Sequence, residues 1–76
     1  MIILTQDGMN MVDAVSLSIR EGQIDAVTSD GTLFSRVANY PDRRIAKAAL
    51  ENAFKAFEGG AKAFKFPEFK GQAKSE

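Results

Sequence analysis

Residues Pro41 to Glu58, PDRRIAKAALENAFKAFE, constrain the fold more than any other stretch, because they alone keep one clear apolar period over several turns. Ala46, Ala49, Leu50, Ala53, Phe54 and Phe57 recur at intervals of three, four, seven, eight and eleven, which is the stripe of an amphipathic helix. Arg44, Lys47, Glu51, Lys55 and Glu58 fall on the other side and are expected to face water. Pro41 suits a first turn, where its missing N–H is not needed, and Asp42 favours the positive end of the helix dipole. Gly59-Gly60 supplies the left-handed residue that commonly ends a helix. A helix with one apolar face must bury it against a second layer, and the preceding forty residues have to provide that layer.

Those residues read as a succession of strands. Met1 to Thr5 is apolar and β-branched and stops at Asp7-Gly8, a hairpin signal because glycine takes positive φ at no steric cost. Met9 to Val12 forms a short return strand. From Val15 the alternation is clean, with Val15, Leu17 and Ile19 on one side and Ser16, Ser18 and Arg20 on the other. Glu21-Gly22 and Asp30-Gly31 turn the chain again, giving strands over Gln23 to Ser29 and Thr32 to Ala38. This rhythm of turns predicts an antiparallel meander of four to five strands, an α+β domain covered by the one helix. Phe54 and Phe57 are expected to fill the space near the helix C-terminus.

After the glycines, AKAFKFPEF places Phe64, Phe66 and Phe69 among lysines, and Pro67 rules out a central strand. The chain is therefore divided into a domain over residues 1–60, an aromatic arm or edge strand over 61–70, and a flexible tail over 71–76. Three phenylalanines are too many to leave in water on so small a protein. They either fold back onto their own sheet or enter another copy of the chain, and the exchanged arm is favoured. Phe34, Phe64, Phe66 and Phe69 are the expected interface, with Val27 beside Phe34 on the outer sheet face.

Size supports association. A chain of 76 residues buries only about 60% of the surface it exposes when unfolded, and such domains commonly add disulfides, a metal or a partner. Cysteine and histidine are both absent, which removes disulfides, the common zinc sites and the usual nucleophilic triads. A homo-oligomer is the remaining supplement. No apolar run is long enough to span a bilayer and no signal peptide is visible, so a cytoplasmic protein with no membrane partner is expected.

Ten basic and ten acidic side chains cancel, yet residues 1–38 hold two basic against five acidic groups and residues 39–76 hold eight against five. Zero net charge gives too little counterion release for a general nucleic-acid binder. Asp25 with Asp30, or Asp7 with Asp13, would suit acid–base work or Mg²⁺, but turn chemistry already explains Asp7 and Asp30. The chain is read as non-enzymatic, with no catalytic residue, no metal site and no cofactor. The remaining cluster is Tyr40 with Arg43, Arg44 and Lys47 at the start of the helix, where an aromatic ring stacks on a base and cations take phosphate. These residues also have a plain reading, with Tyr40 closing the sheet and the arginines pairing with Asp42 or acidic strands.

The opening MIILTQDG, the hairpins ending at SDG, the tyrosine in NYPDRRIAKAALENAF and the ending GGAKAFKFPEF resemble small accessory proteins encoded by phages and other mobile elements of bacteria. The resemblance covers most of the chain and lies in layout. It implies a host-cell setting and a protein that acts by binding. Two modes follow: sequestering an anionic ligand, such as a nucleotide signal of host defence, in a homo-oligomer, or inhibiting a host protein through the sheet face or C-terminal arm.

Overall fold

The computed structural model describes residues 1–69. Five strands and one helix follow one another: β1 (Ile2–Leu4), β2 (Met11–Arg20), β3 (Gln23–Thr28), β4 (Leu33–Asn39), α1 (Arg43–Glu58) and β5 (Ala63–Lys65). The strands form one sheet in the order β4-β3-β2-β1-β5. The first four make the expected antiparallel meander, whereas β5 lies parallel to β1, so the sheet is mixed. Helix α1 carries the chain from the β4 edge of the sheet to the β5 edge, a crossover long enough to deliver a parallel strand.

The expected strands at Met9–Val12 and from Val15 onward are one ten-residue strand. Its register shifts between Ala14 and Ser16, leaving Val15 as an extra residue that is exposed. The inserted residue inverts the alternation. Val12 and Ala14 on one side of the bulge thus share the covered face with Leu17 and Ile19 on the other, although their sequence parity differs.

Both long-loop hairpins use the same tetrad. Thr5-Gln6-Asp7-Gly8 and Thr28-Ser29-Asp30-Gly31 each set the threonine hydroxyl to donate to the aspartate carboxylate, and each glycine N–H donates to the threonine carbonyl. Gly8 and Gly31 take φ of 75° and 88°, the left-handed region glycine favours. The intervening turn works differently: Glu21 adopts φ 58°, and Gly22 sits where a Cβ would lie 2.1 Å from the Tyr40 carbonyl oxygen. That glycine is there for close approach.

Helix α1 begins at Arg43, two residues later than expected, with Asp42 as its N-cap and the Ile45 N–H donating to Asp42 Oδ1 over 3.0 Å. It ends in a Schellman motif, Ala61 N–H to Ala56 O (2.9 Å) and Gly60 N–H to Phe57 O (3.0 Å), with Gly60 at φ 100°. Ala46, Ala49 and Ala53 are its buried residues, and their small side chains let the backbone sit close to the sheet. Phe57 packs against the core, but Phe54 is 66% exposed, so it does not fill the space assigned to it.

Candidate interaction surface

The sheet curls until the loop after β1 meets β4. The Gln6 N–H donates to Val37 O (2.8 Å), and the Asn39 N–H donates to Gln6 Oε1 (2.9 Å). Gln6 Nε2 and the Tyr40 hydroxyl then both donate to the carbonyl oxygen of Pro67, over 2.9 and 2.6 Å. Tyr40 is 6% exposed. Burial raises the pKa of its phenol, although the Gln6 side chain opposes the shift, so the hydroxyl keeps the proton it donates.

This arrangement bears directly on the cluster read as a ligand site. The Tyr40 ring belongs to the core and is not presented for stacking, which matches the plain reading of this residue. Arg43, Arg44 and Lys47 are exposed on α1, and Arg44 approaches Asp42 at 4.0 Å. The Asp42 carboxylate already takes a helix N-terminal N–H that would otherwise attract an anion. Two clefts reach Tyr40, one walled by Asp7 and Glu68 among others and one by Arg20 and Glu21, and none of the three helix cations lines either. Neither of these two clefts gathers the three cations around Tyr40.

The expected interface also separates. Phe66 is fully buried in its own chain's core, so the exchanged arm gives way to self-packing: β5 is the edge strand and Phe66 the largest of the fully buried side chains. Phe64 is half-buried between Phe57 and Phe66, with ring centroids at 6.4 and 5.2 Å and an edge-on contact to Phe66. Phe69 packs against the core. The domain thus runs past residue 60, while residues 70–76, which include the expected tail, lie outside the described residues. Only Phe34 of the four, at 40% exposure, stays prominently exposed, yet it pairs with the buried Ala26 and so shares the covered face; Leu33, 58% exposed, is the residue opposite Val27 on the outer face.

Leu33 and Phe34 lie on β4, the edge opposite β5. The strand is irregular: between Ile24/Ala38 and Ala26/Phe34 it spends four residues against two, and Arg36 takes φ 57°. Asp25 fixes this bulge. Its Oδ1 accepts from the Arg36 N–H and from Gln23 Nε2, both at 2.8 Å, and its Oδ2 accepts from Arg20 Nε at 3.3 Å. Burial pushes the Asp25 carboxyl up, but the hydrogen bonds from Arg36 and Gln23 and the charge of Arg20 outweigh it and leave the pKa below the usual value. Three of the four carboxylates considered for acid–base or Mg²⁺ chemistry thus have structural work, Asp25 in the bulge and Asp7 and Asp30 in their turns, and Asp13 lies 3.4 Å from the Met1 ammonium. Among the described residues, no three acidic side chains gather as a metal cage would require.

Beside the bulge, a cleft of about 350 Å³ separates β4 from the first hairpin, lined by Phe34, Ser35 and Arg36 on one side and Thr5, Asp7 and Asn10 on the other. Sequence reading did not find this cleft, because it depends on the curl that brings Gln6 to Val37. The repeated T-x-D-G tetrad was the available signal, since it fixes the hairpin that forms one wall. No known family model, curated protein or solved structure matches the chain.

Proposed function

We propose that the protein is a non-enzymatic interaction module that takes an extended segment of a partner protein along the outer edge of β4. The observation that carries this reading is an edge strand on which the consecutive residues Leu33 and Phe34, one on each face of the sheet, are both exposed just before the bulge at Arg36. Main-chain bonds from an added strand supply affinity, and the two apolar side chains with the adjoining cleft supply selectivity. Gln6 covers only the Val37–Asn39 part of the edge. Asp7 in the adjoining cleft offers a partner for a Lys or Arg between the apolar residues of such a segment. The resemblance to phage accessory proteins supplies the setting, with a host protein as the partner.

Sequestration of an anionic ligand by Arg43, Arg44 and Lys47 has less support, because neither a stacking ring nor an open helix N-terminus accompanies those cations. The test selects extended peptides against the whole protein and maps the winner by amide exchange. New protection along the free edge of β4 between Leu33 and Ser35, with binding lost in Leu33→Lys/Phe34→Lys, is expected. Protection elsewhere, or an undiminished affinity in that variant, overturns the proposal, as does tight nucleotide binding abolished by Arg43→Ala/Arg44→Ala.

A further inference from the structure

Helix α1, Met1 and strand β2 enclose a groove of about 340 Å³ lined by Met1, Leu17, Leu50, Ala53, Phe54 and Phe57 together with Glu51. Its walls are almost wholly carbon, and Phe54 stands largely in solvent at its edge. The volume lies at the low end of the range of about 300 to 1,000 Å³ taken by small-molecule sites, enough for one or two side chains.

We infer that this groove is filled by α1 of a second copy of the chain, related by a two-fold axis near Ala53, with Phe54 of each copy entering the groove of the other. The charges around Phe54 carry the choice of occupant. Lys47, Glu51, Lys55 and Glu58 alternate in sign along the exposed part of the helix. When two such helices run antiparallel about Ala53, residues equally far on either side of that position come level. Glu51 of one copy then meets Lys55 of the other, and Lys47 comes level with Gly59 of the other, next to Glu58. Each contact is made twice, as an isologous interface requires, and among Lys47, Glu51, Lys55 and Glu58 no like charges come level.

The core gives a second reason. Its fully buried large side chains are Phe66, Ile3, Ile24 and Val37, and α1 contributes only alanines to the buried set, while Phe54 stays outside. A domain of this size has little apolar burial to spare, and sheltering Phe54 with Leu50 and Met1 in a neighbour enlarges it. This interface leaves β4 uncommitted, so the dimer and the strand-docking reading stand or fall separately.

The experiment is native mass by sedimentation from about 1 to 100 μM on the whole protein, with circular dichroism as the control for folding. A dimer is expected for the wild type. Phe54→Ser should be a folded monomer over the same range. Glu51→Lys should weaken the dimer at least tenfold, and Glu51→Lys/Lys55→Glu should restore it to within about threefold, since the swap rebuilds both contacts across the axis. A wild-type monomer at 100 μM, a Phe54→Ser dimer of unchanged strength, or a double variant no stronger than the single one overturns the inference. So does a native mass that shows a monomer carrying an apolar small molecule.

Discussion

The Tyr40 hydroxyl donates to the Pro67 carbonyl oxygen over 2.6 Å, tying the residue that follows β4 to the one that follows the buried Phe66. Residues from both ends of the chain converge there, because Gln6 reaches the same oxygen.

Tyr40→Phe should cost roughly 1 kcal/mol, the net worth of one hydrogen bond, since Gln6 still satisfies the carbonyl. Adding Gln6→Ala should cost more than the separate effects summed, because the Pro67 carbonyl then loses both donors. A urea-denaturation double-mutant cycle reads the coupling. Strict additivity would show that the two bonds do not work as a unit.

Phe66→Ala should remove about 3 to 5 kcal/mol, close to the whole stability of a domain this small, and leave the chain largely unfolded by circular dichroism at room temperature. Phe34→Ala, at an exposed edge position, should stay within about 0.5 kcal/mol. A folded Phe66→Ala protein of near-normal stability would mean that the arm is not part of the core.

The turn at Glu21-Gly22 predicts opposite effects for neighbouring substitutions. Gly22→Ala places a methyl against the Tyr40 carbonyl oxygen and should lower the urea midpoint clearly. Glu21→Gly relieves a left-handed φ of 58°, a gain of about 1 kcal/mol less the entropy glycine loses on folding, so it should be neutral or mildly stabilising.

Acid should destabilise the protein through named carboxylates. The pKa of Asp25 is lowered in the folded state despite burial, and those of Asp7 and Asp30 are lowered chiefly by the Thr5 and Thr28 hydroxyls. Groups lowered on folding contribute stability above their unfolded value, about 3.9, and lose it as pH falls through the folded value. Stability should therefore be level from pH 7 to about 5 and decline below about 4. Asp25→Asn should be less stable at neutral pH, with the gap to wild type narrowing toward pH 2. A gap that stays constant would remove the carboxylate charge from the account.

The helix was legible because its stripe repeats at 3.6 residues, and the hairpins because glycine follows aspartate at two turns. What failed depended on distance or on single insertions. Val15 looked like a core residue because alternation assumes no bulge, and one extra residue reverses the faces for the rest of the strand. Tyr40 looked like a stacking platform because its hydrogen-bond partner, Pro67, lies 27 residues further on and nothing local announces it. Phe66 looked like an arm because proline and lysines surround it. Its burial follows from the parallel pairing of β5 with β1, a contact between segments too far apart for a pattern to reveal. The site residues Arg43, Arg44 and Lys47 were placed correctly on the helix, but their chemistry rested on a tyrosine that faces inward.

The pairing of Ile3 with Phe64 has a temporal consequence. The meander rests on local pairings, but its covered face is complete only when α1 has packed on it and β5 has closed the second edge. A chain that has formed only the meander therefore leaves Ile3, Val12 and Ile24 without a completed core. Closing so long a loop is slow relative to hairpin formation, so the pairing of β5 with β1 is the step that sets how long this apolar face stays uncovered during folding.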